Sequence, residues 1–358
     1  MSRYVVRRLL QSIPTFFGIT LLAYLLMSLL PGGPLAALYF ANPRMTPQDR
    51  VALGARLGVN DPPPIQYLRW LLGDDWMRWD SDGDGLSDGA FLIGLDADGD
   101  SVPEPPGDRY GVLRGDFGRS FFNNRPVIQV LTERLPATLE LSISAFLIGT
   151  IGGVVVGVLA ALYKGRAFDN ASRVLAVIFD SIPAFWLGLI LLLLFSVTLD
   201  WLPLGDRCRT TLDATCPPVW QRLNYLALPV FVLSVSGVAV LSRFIRASML
   251  EIISNDYIRT ARSKGIGEGR VWFFHALRNG LITLATFIGP SITGLLGGAV
   301  IIETVFNYQG VGLTIVQAFG QRDYPIVMAV TIYAALATMI GFLISDILYG
   351  IVDPRIRF

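Results

Sequence analysis

Two short acidic runs carry the chemistry that is easiest to name. "DSDGDGLSD" from Asp80 to Asp88 and "DADGDSVPE" from Asp96 to Glu104 repeat one spacing of side-chain oxygens with an intervening glycine. Asp80, Asp82 and Asp84 fill positions 1, 3 and 5 of the first loop, and Asp96, Asp98 and Asp100 fill those of the second. Asp88 and Glu104 add a carboxylate to each. A Ca²⁺ ion takes six to eight oxygens, and a short loop supplies them only if a glycine lets the backbone turn sharply. Position 12 counted from Asp80 is Phe91 and from Asp96 is Gly107, so neither loop has the bidentate glutamate of a full EF-hand. Ca²⁺ is the expected ligand, and the alternative is an acidic, solvated loop without metal.

Other site chemistries are excluded by count. The chain has one histidine, His275, and two cysteines, Cys208 and Cys216, too few for a Cys/His structural metal site or a haem attachment motif. No G-x-x-x-x-G-K-[ST] run occurs, because neither lysine, Lys164 or Lys264, follows a glycine. The chain is therefore not expected to be an enzyme, and its core is expected to hold no cofactor. With 29 basic against 28 acidic residues it also lacks the field that gathers nucleic acid.

The elements that must position these groups are read from apolar run length. Of the 358 residues 53% are hydrophobic and 16% charged, against about 25% charged in ordinary soluble domains. Mean hydropathy is +0.53. A helix needs about 20 apolar residues to cross the hydrocarbon core. Six segments qualify, approximately Leu9 to Leu30, Thr138 to Tyr163, Val174 to Leu199, Tyr225 to Leu241, Leu281 to Ile302 and Ile326 to Val352. The expected fold class is an all-α membrane protein with six transmembrane helices. The first run is too long for the apolar region of an ordinary signal peptide and ends at Pro31-Gly32-Gly33-Pro34 rather than at a small-residue cleavage site.

Arg and Lys in short loops mark the cytoplasmic side. Arg3, Arg7 and Arg8, then Lys164, Arg166 and Arg173, the loop between spans four and five, and finally Arg355 and Arg357 all share one side if both termini are cytoplasmic. This gives an N-terminal span (1–30), an extracytoplasmic segment (31–135) with an acidic insert (74–110), a five-helix core (136–352) whose cytoplasmic loop covers 248–279, and a short tail (353–358). Cys208 and Cys216 fall outside, where a disulfide is favoured over two free thiols. Pro183, Pro229 and Pro290 are expected to kink or break spans three, four and five. Gly294, Gly297 and Gly298 suggest close backbone approach in span five, although tight helix packing explains them equally well. Asp180, Glu303 and Asp346 appear singly, mostly toward span ends, rather than as the paired mid-membrane groups of an ion-coupled carrier.

The loop reads "SMLEIISNDYIRTARSKGIGEGRVWFFHALRNG" and is expected to be helical from Ser248 to Ser263, to break at Gly265 and Gly267, and to resume as a second helix. A basic amphipathic segment of this kind either lies on lipid phosphates or docks a soluble partner. Within it "DYIRTARSKG", Asp256 to Gly265, resembles the coupling-loop signature of membrane subunits of the dipeptide/oligopeptide family of ABC importers. "RYVVRRLLQSIPTFFGIT", "GDFGRSF", "RLPATLEL", "DSIPAFWLG", "HALRNG", "GGAVIIETVF", "RDYP" and "DPRIR" extend the resemblance along nearly the whole chain apart from the acidic insert. Two positions depart from the pattern: Thr283 stands where the family has proline, and "YQG" at Tyr308 to Gly310 stands for "WPG". The acidic loops in turn resemble the calcium repeats of dockerins and thrombospondin type 3 modules.

The family resemblance implies a type I importer permease fold, a second homologous permease subunit, two cytoplasmic ATPase subunits and an extracytoplasmic solute-binding protein. It places Asp256, Tyr257, Arg259, Thr260, Ala261, Lys264 and Gly265 in the ATPase-coupling element. Two other readings keep the same spans: an ion-coupled secondary transporter, and a membrane receptor or scaffold whose loop recruits a cytoplasmic partner.

Overall fold

The computed structural model describes residues 2–29, 46, 63–73, 78–79, 89–90, 110–208, 216–280, 291 and 300–352. The described chain is mostly helical. Helix α1 is Ser2–Ser28, α2 is Pro63–Leu72 and α3 is Val127–Leu162. Next come α4 at Ala167–Ser181, α5 at Ala184–Leu191 continued by a π-helical stretch Leu192–Thr198, and α6 at Leu223–Ile253. Helix α7, Asp256–Ser263, opens a hairpin that closes with a π-helical stretch Val271–Ala276 and α8, Leu277–Gly280. A helical segment at 300–305, α9 at Val311–Gln321 and α10 at Tyr324–Val352 complete the described chain. The two-residue strands β1, Arg78–Trp79, and β2, Gly89–Ala90, pair antiparallel.

Among the described residues four helices are long and apolar enough to cross a membrane, or five if the bent pair α4 and α5 counts as one span. Several expected boundaries move. The second span begins at Val127 rather than Thr138, because a helix can continue past the bilayer once its end is packed by protein. The fourth runs from Leu223 to Ile253. It contains Pro229 without a break, where a kink or a break was expected. The third is not one straight span: α4 and α5 meet at 99°. Ile182 is extended ahead of Pro183, the conformation that proline imposes on its predecessor, and the helix restarts at Ala184. Nearly all of the expected fifth span, with Pro290, Gly294, Gly297 and Gly298, lies outside the described residues, as does Thr283.

Close contacts divide the chain into two units. One comprises Met1–Ser12, Arg134–Thr314 and Ala334–Phe358, and the other Ile13–Glu133 and Ile315–Tyr333. In the first unit one apolar cluster gathers Ala137, Leu141 and Ala145 of α3 with Leu187, Leu226, Val230, Ile302, Phe306 and Tyr308. The glycines of α3 admit close approach to α6: a Cβ on Gly157 would stand 2.7 Å from the Ser242 carbonyl oxygen, and one on Gly153 2.8 Å from Leu241 Cβ. In the second unit Thr20 and Tyr24 of α1 bond Tyr67 and Gln66 of α2, and the rings of Tyr24, Tyr67 and Trp70 stack at 5.6 to 5.9 Å.

Candidate functional site: the hairpin after α6 and the charged pairs behind it

The expected helix from Ser248 to Ser263 is two helices. Helix α6 ends at Ile253, the Asn255 N–H closes a turn on the Ile252 carbonyl, and Asn255 itself is extended before α7 begins. Asp256 occupies the first helical position, where a carboxylate opposes the positive end of the helix dipole. Its carboxylate lies 3.5 Å from Arg259, both strongly exposed.

An eight-residue helix does not hold its shape alone. Ile258 and Ala261, three residues apart and so on one face, are buried in a cluster with Val158 and Ala161 of α3, Leu241, Ile245 and Met249 of α6, and Val271 and Ala276 of the returning π-helical stretch of the hairpin. The other face carries Asp256, Tyr257, Arg259, Thr260 and Lys264 outward. Ala261, one of the motif positions, therefore packs against the chain's own core and offers no outer contact. Gly265 ends the helix with φ +76°, its N–H bonding the Arg262 carbonyl and the Ile266 N–H bonding Ala261. The Arg262 guanidinium then spans the turn with two bonds to Glu268, at 2.8 and 3.2 Å. The hairpin is a preformed, charged ridge on a packed base.

The acids that look solitary in sequence are paired in the fold. Asp180 of α4 meets Arg243 of α6 at 2.5 Å. Asp169, at 1% exposure, receives Arg246 through two bonds of 2.6 and 2.7 Å and the Gly165 N–H at 2.8 Å. Asp346 pairs with Arg8 at 2.8 Å. Glu303, fully buried, accepts the Thr138 hydroxyl at 2.7 Å and the Leu313 N–H at 2.9 Å, while Thr138 accepts the Val311 N–H at 2.8 Å. Thus Glu303 holds the start of α9 against α3. A charge within an apolar run signals that a partner must exist. The partner's identity was not legible, because 63 residues separate Asp180 from Arg243 and 165 separate Thr138 from Glu303.

A second buried centre joins Glu140 of α3 to the segment between α5 and α6. Glu140 is gripped by Arg222 at 2.6 Å and Arg207 at 3.0 Å, and Arg222 also donates to the carbonyls of Pro217 and Arg207. Cys208 and Cys216 are joined, with Cα atoms 5.7 Å apart. Burial, followed by the adjacent Glu140 carboxylate, pushes the Tyr308 phenol up to about 12. Tyr308 stands at the first position of the departing "YQG", and its side chain is fully buried.

The proposed metal ligands Asp80, Asp82, Asp84, Asp88, Asp96, Asp98, Asp100 and Glu104 lie outside the described residues. The β1–β2 pair flanks the first of these loops. Among the described residues no group of three or more His, Cys, Asp or Glu side chains could hold a metal ion.

The chain is similar to several known proteins. Residues 153–358 match the family described as binding-protein-dependent transport system inner membrane component. The oligopeptide transport system permease protein AppB of Bacillus subtilis is 36% identical over the full length of both chains. The di/tripeptide transport system permease protein DppB of Pseudomonas aeruginosa is 35% identical, covering 100% of this chain and 99% of that protein. Among solved structures, the inward-facing MetNI methionine ABC transporter aligns at 19% identity with a TM-score of 0.49, over 64% of this chain and 98% of the other. With a family match across more than half the chain and relatives aligned end to end, this protein belongs to the family of inner-membrane components of binding-protein-dependent transport systems, multi-pass proteins of the plasma membrane.

Proposed function

We propose that the chain is the permease subunit of an ATP-driven importer for di- and oligopeptides or related solutes, and that α7 is the element through which separate ATPase subunits drive it. The observation that carries the reading is the ridge: Asp256, Tyr257, Arg259, Thr260 and Lys264 face outward from a helix whose inner face, Ile258 and Ala261, is fixed to α3 and α6. A partner that moves this helix moves two membrane-crossing helices with it, which is the mechanical requirement for alternating access. The peptide class rests on the names of the full-length relatives.

The assembly is completed by a second homologous permease, two ATPases on the side of α7, and an extracytoplasmic binding protein, set in membrane lipid. Both termini lie on the ATPase side, as the distribution of short-loop arginines supports. The acidic insert lies on the opposite side, where weak sites of about 10⁻⁴ to 10⁻³ M fill with Ca²⁺.

The test is gentle solubilisation of the tagged chain and identification of what stays bound. Recovery of a second permease and two ATPases, with the ATPases lost on Asp256→Lys, supports the reading. Recovery of the chain alone, with solute uptake driven by an ion gradient, overturns it. For the insert, Ca²⁺ added to the intact complex should slow proteolysis between residues 74 and 110, and unchanged cleavage overturns the calcium assignment.

A further inference from the structure

Helix α6 is one unbroken rod of 31 residues, roughly 45 Å at 1.5 Å per residue. Its end near α7 carries Arg243 and Arg246, about 4.5 Å apart along the axis. Their partners on α4 are much further apart: Asp180 and Asp169 are separated by roughly 16 Å of helix. The two bridges therefore diverge from neighbouring points on α6 to opposite ends of α4, forming a fork. One contact leaves a helix free to rotate about it, whereas two separated contacts fix the crossing angle.

The two prongs differ. Asp169 is buried and is held by two guanidinium bonds and a backbone N–H. Asp180 and Arg243 are 41% and 40% exposed and share a single short contact. Asp180 also sits two residues before Ile182, where α4 ends and the chain turns through 99° into α5. Between the prongs lies a groove of about 740 Å³, lined by Arg173, Val174, Val177 and Ile178 of α4 and by both arginines. The groove opens beside the prongs, while on the adjoining side Phe179 of α4 meets Phe231 of α6 edge to face at 6.5 Å.

We infer that Asp180 and Arg243 are positioning residues of the transport cycle, a latch that parts and re-forms as α4 pivots about the Asp169–Arg246 anchor when α7 and α6 are driven. The inference rests on the importer reading above. It explains why the outer pair shares a single bond while the inner one is buried and doubly bonded: a latch must part, and a pivot must not. The bend at Ile182–Pro183 lets α4 move without carrying α5 along.

The test uses the complete importer with its binding protein in liposomes. It reads uptake of a mixture of radiolabelled di- to pentaalanine per ATP hydrolysed. Asp180→Arg and Arg243→Asp alone should each lower that ratio at least about fivefold, and the two together should restore it. Asp180→Asn with Arg243→Gln, which removes both charges without reversal, should retain assembly and lower the same ratio. Joining Asp180→Cys to Arg243→Cys with a short reducible bis-thiosulfonate should stop uptake until reductant is added, with the wild-type complex under reductant as reference. The same reagent added to the wild-type complex, whose two cysteines are already joined, should leave uptake running. A linked 180–243 pair that transports freely, or a double reversal that rescues nothing, overturns the latch while leaving the importer reading standing. Failure of the wild-type complex to show ATP-dependent uptake overturns both.

Discussion

The hydroxyl of Ser120 donates to the buried carboxylate of Asp323, 203 residues away along the chain. Asp323 also accepts the Phe121 N–H at 3.0 Å, and the rings of Phe121 and Tyr324 meet edge to face at 6.5 Å. Two short sequence signatures, "GDFGRSF" and "RDYP", are thus halves of one joint. Ser120 in turn accepts the N–H groups of Phe122 and Asn123, so the carboxylate orders a whole turn. Asp323→Ala strands a hydroxyl and an N–H away from water and should cost about 3 kcal/mol, the scale of lost bonds to a buried charge. Thermal unfolding of the solubilised complex measures it. A variant within experimental error of wild type removes the joint from the account of stability.

Gly310 and Gly312 permit the Glu303 arrangement. A Cβ on Gly310 would lie 2.4 Å from the Thr138 hydroxyl and 2.5 Å from Glu303, and one on Gly312 would lie 2.6 Å from the Val300 Cα. Gly310→Ala and Gly312→Ala should each destabilise by about 1 to 3 kcal/mol through overpacking. Gly320→Ala, with nothing within 4 Å, should be neutral or slightly stabilising in its helix. Expression and melting temperature of the three variants, compared side by side, decide the matter.

Within the hairpin, face determines outcome. Ala261→Leu forces volume into the Ile245–Met249 cluster and should detach α7, seen as new protease cleavage between residues 254 and 268. Tyr257→Ala changes an outward side chain and should leave that cleavage pattern unaltered while weakening ATPase retention during purification. Gly265→Ala meets no neighbour but imposes a left-handed backbone on a side chain, at about 1 kcal/mol. Equal protease sensitivity of Ala261→Leu and wild type would contradict the docked helix.

The segment around Cys208 and Cys216 is braced twice, by the disulfide and by the Arg222–Glu140–Arg207 cluster. Closing a loop with a sequence separation of 8 removes about 2.5 kcal/mol of unfolded-chain entropy. Cys208→Ser with Cys216→Ser should therefore lower stability by about that amount and leave the complex assembled. Glu140→Ala, which leaves the buried Arg222 uncompensated, should cost more, about 3 to 5 kcal/mol. Denaturant unfolding of both variants ranks the two braces.

Much was legible in the chain alone. Apolar run length identifies the helices long enough to cross a membrane, because lipid offers no partner for an unbonded backbone and only length and composition matter. Pro183 marks the break of span three for an equally local reason: it lacks an N–H and constrains Ile182. Gly265 marks the end of α7. The sequence of the Asp256–Gly265 run also carried the family, which the full-length relatives then established.

What only the tertiary structure decided is which charged group faces which. Asp180, Glu303 and Asp346 stand singly in the sequence, and each has a partner brought from 63 to 338 residues away by helix packing. The division of the Ser248–Ser263 run into α6 and α7 belongs here too. Ser254, Asn255 and Asp256 favour caps and turns and so permit a break there, but what makes the chain fold back is burial of Ile258 and Ala261 beside Ile245 and Met249. Local propensity is set by neighbours in sequence, whereas burial and ion pairing are set by neighbours in space.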